Sequence, residues 1–119
     1  MLLRFSAILA GLSVLLGAFA AHIIKNSLSE SLFSTFETAT HYLQWHALAI
    51  FLTIVAHKTK LIKSTKPALL FLIGIILFSG SLYLYVATNI KWLVMITPLG
   101  GLVFIISWFY LAFSVIKAK

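Results

Sequence analysis

Charged residues fall in short patches along this chain, and long apolar stretches separate them. Phe5–Ile24, Thr38–His57, Pro67–Ile90 and Trp92–Ile116 contain no Asp, Glu, Lys or Arg and run for 20, 20, 24 and 25 residues. An α-helix rises about 1.5 Å per residue, so about 20 residues cross the hydrocarbon of a bilayer. Each run therefore predicts one membrane-spanning helix. Residues 1–119 read as a single integral membrane domain with spans at about 5–24, 38–57, 67–90 and 92–116. The predicted fold is all-α, a four-helix transmembrane bundle.

Within these runs the small and polar residues predict local detail. The first run has a basic start at Arg4 and an Ala-x-Ala at Ala18–Ala20, as a secretion signal would. It is longer than the apolar core of such a signal, so it is expected to remain as a span. Ser13, Gly17 and Ala21 recur every four residues, as do Ala7 and Gly11. That spacing lets helix backbones approach closely. Asn26, Ser27 and Ser29 suit a helix N-cap, and Ser27 with Glu30 fits a capping box. Leu28, Leu32, Phe33 and Phe36 follow at helical spacing. They predict a short amphipathic helix at the outer interface, between the first and second spans and running into the second. Pro67 suits the first turn of the third span, where a missing N–H costs little. That span also carries Gly74 and Ser79-Gly80-Ser81, small enough for tight contact. In the fourth, Pro98 predicts a kink near Val94, with Gly100 and Gly101 letting a neighbour fill the bend.

Composition agrees with a lipid environment: 62% of residues are hydrophobic and 9% charged. The net charge of +7 is distributed by topology. Arg4, Lys58, Lys60, Lys63, Lys66, Lys117 and Lys119 fall on one side of an even number of spans, and Lys25 and Lys91 on the other. Positive residues favour the cytoplasmic side, which orients the bundle with both termini inside a cell (plasma or inner) membrane. The lysines are then topology signals that meet anionic lipid headgroups, and no nucleic-acid partner is expected. There is no cysteine, so disulfides and thiol catalysis are excluded. There is also no Asp, hence no Ser-His-Asp triad, and the two acids, Glu30 and Glu37, leave little scope for paired-carboxylate catalysis.

The chemistry-bearing residues converge on the outer leaflet. His22 ends the first span there, and Glu37, His41, Tyr42 and His46 begin the second. Glu37 and His41 are one helical turn apart, and so are Tyr42 and His46. His41 and His46 lie about 140° apart around the axis, too far to face one small ligand. Three readings follow. The cluster ties helices together by hydrogen bonds from His22, Tyr42 and His46 to Ser79, Ser81 or backbone carbonyls, with Glu37 and His41 pinning the interfacial helix. It lines a proton or small-molecule path, with His46 deepest. Or His22, Glu37 and His41 hold a metal. The first is preferred, so no catalytic residue, metal or cofactor is assigned. Gly17, Gly80, Pro98, Gly100 and Gly101 are assigned to packing.

Five ordered motifs then stand out: GAFAAH at Gly17–His22, THYLQWHALAI at Thr40–Ile50, LFSGSLYL at Leu77–Leu84, ITPLGG at Ile96–Gly101, and Trp108. Together they resemble the small bacterial membrane-protein family termed domain of unknown function four-two-three, which has a eukaryotic transmembrane relative. The resemblance covers nearly the whole chain and implies a four-span membrane protein, but no activity. The first motif often reads GAFGAH in the family. Ala20 here indicates that the position wants a small residue rather than glycine's flexibility. The expected role is that of a small non-enzymatic accessory protein supporting the envelope, partnered by membrane lipid, a second copy or a larger membrane complex. A small transporter or proton-linked factor is the alternative, and a metal-binding protein comes third.

Overall fold

A computed structural model describes residues 1–116, so Lys117 and Lys119 of the topology reading lie outside the described residues. Helix α1 (Leu2–Phe19) ends in a π turn, Ala20–Ile24. Helix α2 (Glu30–Lys58) is the longest, at 29 residues. Helix α3 (Lys66–Ile75) passes through a second π turn, Ile76–Gly80, into α4 (Ser81–Thr88). A 3-10 turn, Lys91–Met95, precedes α5 (Thr97–Ser114). The fold is all-α. Among the described residues the only β pairing is one isolated bridge between Ile62 and Val115. Three helical rods, Leu2–Ile24, Lys66–Thr88 and Lys91–Ser114, are long and apolar enough to cross a membrane. Helix α2 is not among them, for a reason its position supplies.

The other rods pack around α2. Helix α1 lies along one side of it; α3, the second π turn and α4 lie along another. Its buried residues recur in steps of seven: Phe36, Leu43, Ile50; Ala39, His46, Thr53; Thr40, Ala47, Ile54. On α1 the buried Ser6, Ser13 and Ala20 share that step. Small residues on a seven-residue repeat are the seam of two closely packed helices. The faces of α2 enclosed in this way can carry polar side chains such as Thr40, His46 and Thr53, because lipid does not meet them. The outer rods instead present Ile8, Leu12, Leu15, Leu69, Ile73, Leu102, Ile105 and Phe109 outward. The interior is thus more polar than the exterior, the reverse of a water-soluble bundle.

Three local expectations are corrected. There is no separate interfacial helix between the first two spans. Residues from Glu30 continue as one rod into α2, because Phe36 is buried in the seam against Tyr83, at 5.1 Å between ring centroids, rather than lying on a lipid surface. Its N-cap is Ser29, whose Oγ accepts from Leu32 N–H at 3.2 Å. Ser27 instead donates back to Ile23 C=O at 3.2 Å, so the Ser27–Glu30 capping box does not form. Nor does Pro98 kink a continuous fourth span. The rod changes from 3-10 to α just before it, and Pro98 sits in the first turn of α5, where its missing N–H has no intrahelical partner to lose. Pro67 takes the same position in α3, as expected.

Gly100 marks the closest backbone approach. A Cβ added there would collide with Phe78 N and lie 2.8 Å from Leu77 C, both main-chain atoms of the second π turn. At Gly101 the nearest atoms are the Phe78 ring at 3.8 Å, at Gly17 the Thr40 methyl at 3.9 Å and at Gly80 the Ile75 carbonyl at 3.9 Å, all ordinary contacts. At Gly11 nothing lies within 4 Å. Gly100→Ala is therefore expected to destabilise the bundle by about 1–3 kcal/mol, measured by thermal denaturation in detergent. Gly11→Ala and Gly101→Ala should stay within about 1 kcal/mol of the parent. Equal effects at the three positions would refute the close approach.

Candidate functional site

His46 lies in an aromatic box at the heart of the bundle. It is a buried residue on the 39/46/53 column of α2. Its ring stacks on Phe104 of α5 at 3.5 Å between centroids and 11° between planes. Phe71 of α3 lies at 5.7 Å and Tyr42 at 5.8 Å. Both imidazole nitrogens are occupied. Trp108 Nε1 donates to His46 Nε2 at 3.1 Å, and Nδ1 is 2.7 Å from the Tyr42 carbonyl. An indole N–H can only donate, so Nε2 must be the acceptor. Nδ1 then carries the proton and donates to the carbonyl. The partners thus select the neutral Nδ1–H tautomer and leave no lone pair for a metal.

A second group of bonds lies among hydroxyls. Thr40 shares a 2.7 Å bond with the Tyr83 hydroxyl while donating to, or lying 2.9 Å from, its own Phe36 carbonyl. Ser79 donates to Ala39 C=O across the helix pair at 2.7 Å. Ser81 and Thr97 share a 2.7 Å bond between α4 and α5. Ser6, Thr53 and Ser107 donate within their own helices. Among the described residues, no buried side-chain nitrogen or oxygen lacks a partner.

The third feature is a groove of about 340 Å³ between α1 and α2. Glu37, Thr40, His41 and Gln44 form one wall, and Ser13, Val14, Gly17, Ala18 and Ala20 the other. Glu37 and His41 are exposed, and Gln44 is half-buried. Antiparallel pairing sets the depth: Gly17 and Ala20 lie seven and four residues short of the α1 end at Ile24, about 6–10 Å at helical rise. Glu37 therefore lies beside the body of α1 rather than beyond its tip.

The residues proposed from sequence thus separate into two places. Tyr42 and His46 belong to the aromatic box, where Tyr42 also stacks on Phe78 at 4.3 Å. Glu37 and His41 belong to the groove. His22 is exposed on the first π turn and is not part of the groove lining. Among the described residues no three His, Asp or Glu side chains come together to hold a metal ion, so His22, Glu37 and His41 do not form the triad of the third reading. Ser79 and Ser81 make interhelical bonds as expected, but to Ala39 and Thr97 rather than to His22, Tyr42 or His46. Glu37 and His41 have no separate helix to pin. Phe71, Phe104, Tyr83 and the roles of Trp108 and Thr97 were not read from the chain. Trp108 carried a usable signal: a tryptophan in mid-span needs an acceptor for its N–H, and His46 is a suitable one.

This fold and these sites define a small, all-helical membrane protein whose interior polar groups bond to one another. The chain belongs to the family described as "Protein of unknown function (DUF423)", whose model matches residues 16–101. It is 41% identical over 111 residues to UPF0382 membrane protein SAB0533 of Staphylococcus aureus (strain bovine RF122 / ET3-1), covering 93% of this chain and 91% of that one. It is 42% identical over 113 residues to UPF0382 membrane protein YwdK of Bacillus subtilis (strain 168), covering 93% and 92%. A Haemophilus influenzae UPF0382 membrane protein is 39% identical over 112 residues, covering 89% and 86%. No solved structure matches.

A double-mutant cycle tests the box. His46→Leu and Trp108→Phe should each destabilise the protein, His46→Leu the more because it leaves an indole N–H unpaired. The pair should couple by about 0.6–2 kcal/mol in detergent unfolding. Strict additivity would remove the hydrogen bond from the account.

Proposed function

We propose that this is a four-span, non-enzymatic protein of the plasma membrane, with both termini cytosolic, acting as an accessory to a larger membrane complex. One observation carries the reading. The groups that could do chemistry deep in the bundle, His46 above all, are already used by other parts of the bundle. A relay histidine needs a nitrogen free to exchange protons, and a ligand histidine needs a free lone pair. His46 has neither to spare. The outer faces of α1 and α5 carry long rows of apolar side chains, which suit lipid and the helices of a neighbouring protein alike.

For orientation, support comes from the lysines. Lys58, Lys60, Lys63 and Lys66 lie in the connection from α2 to α3. The end of the fourth rod is tied to that connection by Ile116 N–H donating to Leu61 C=O at 2.8 Å. The C-terminal end and the basic connection therefore share one end of the bundle, the end the positive-inside rule makes cytosolic. Helix α2 supplies the remaining span: at about 1.5 Å per residue it is long enough, and Thr40, His46 and Thr53 are enclosed by its neighbours.

Two measurements check this. Reporter fusions within residues 58–66 and after residue 116 should both report cytosolic placement; an external signal from either overturns the orientation. Purification in mild detergent should bring down a partner membrane protein in fixed ratio. A clean monomer giving robust solute flux in proteoliposomes, with flux abolished by His46→Ala, would replace the accessory role by transport.

A further inference from the structure

The groove between α1 and α2 is built as a site that the bundle's own bonding does not use. Its polar wall is one helix face: Glu37, His41 and Gln44 follow at i, i+4 and i+7, so they rise in a column along α2. The facing wall is low where Gly17, Ala18 and Ala20 stand, and Ser13 and Val14 close it further along α1. Thr40 forms the floor. Its hydroxyl is bonded away toward Tyr83, and its methyl lies 3.9 Å from where a Gly17 Cβ would be. The low stretch of the second wall gives the groove its volume.

Depth makes the arrangement informative. Glu37 stands beside Gly17–Ala20, inside the length of a rod long and apolar enough to cross the membrane. A carboxylate at that depth is costly unless a cation meets it. Glu37 offers an acceptor at the groove mouth. One turn further in, the His41 imidazole and the Gln44 amide offer donors. A carboxyl acceptor beside two N–H donors is the complement of a headgroup with an ammonium and a phosphate. The groove opens sideways along an apolar rod, so the ligand arrives with acyl chains lying on α1 beside the exposed Val14.

The geometry points to a lateral site for an aminophospholipid headgroup, with the primary ammonium on Glu37 and the phosphate on His41 and Gln44. Charge-assisted hydrogen bonds of N–H groups to a carboxylate distinguish a primary ammonium from a quaternary one, which has no N–H to give. Placement in the outer leaflet rests on the orientation proposed above; the groove and its ligand do not, and the test below is independent of orientation.

The test is native mass spectrometry of the purified full chain. The protein is incubated with equal amounts of phosphatidylethanolamine, phosphatidylcholine and phosphatidylglycerol carrying identical acyl chains. One phosphatidylethanolamine per chain should be retained about tenfold over either competitor. Glu37→Gln should abolish that preference, and Gly17→Leu, which fills the groove without changing charge, should abolish retention. Both positions are exposed, and melting in detergent verifies each variant; Gln44→Leu replaces any variant that does not fold and should weaken retention likewise. Equal retention of the three lipids, or a preference that survives Glu37→Gln, overturns the site. Excess free ethanolamine should leave the lipid in place; displacement by it would overturn the lipid assignment in favour of a soluble amine.

Discussion

Hydrocarbon offers no hydrogen bonds, so each donor and acceptor carried into it must find a partner within the protein. The bundle is arranged around this constraint. Its most polar helix, α2, is the one the others pack around, and the His46 imidazole, the Thr40 hydroxyl and the Ala39 carbonyl are matched to groups on α5, α4 and the second π turn. The hydroxyls nearer the end that carries the α2–α3 connection, Ser6, Thr53 and Ser107, bond only within their own helices. They act there as small packing residues. The interhelical bonds are made instead by Ser79, Ser81, Thr40 and Trp108, where α4 and α5 meet α2.

Close packing and polar matching depend on each other here. Gly100 allows α5 to sit against the main chain of the second π turn, and that approach accompanies the Ser81–Thr97 bond three residues away. The seven-residue repeat of small groups along α1 and α2 does the same on the other side. In lipid, where burying apolar surface gives little advantage between helices, such contacts and the few interhelical hydrogen bonds hold the assembly.

Much of the fold was legible in the chain. Uncharged runs bounded by charged residues lie within a few residues of three of the rods, because charge is excluded from hydrocarbon regardless of tertiary detail, whereas α2 begins at Glu30, eight residues before its run. Gly100 was legible as a point of close approach because small residues let backbones meet, whereas Gly17, read the same way, borders the groove with only an ordinary contact to Thr40. What could not be read was which alternative a polar residue takes. Ser27, Ser29 and Glu30 fit two capping schemes, and only the position of Phe36 in the seam decides between them. Pro98 reads as a kink or as a helix start, depending on whether the preceding turn is α or 3-10. For the site, helical periodicity correctly separated His41 from His46. The partners of His46 come from residues 25 to 62 positions away in the chain, Phe71, Phe104 and Trp108, which no local pattern reveals. The sharing of one groove by Glu37 and Gly17 likewise depends on the antiparallel register of α1 and α2.

The π turn at Ile76–Gly80 has a consequence for how this chain can change over time. A π turn holds one residue more than the α-helix it interrupts. Loss of that extra residue would let the rod run on as regular α-helix with Ser81 and Tyr83 still on the same face, whereas loss of a residue within α3 would rotate everything after it by about 100° unless the π turn gave way. In that second case Ser81 and Tyr83 would swing away from Thr97 and Thr40 together, and both hydroxyl pairs would open toward lipid. Length within α3 is therefore constrained as tightly as residue identity, and variation there should enter by substitution, while a one-residue change can be absorbed at the π turn and longer insertions and deletions collect in the connection between α2 and α3.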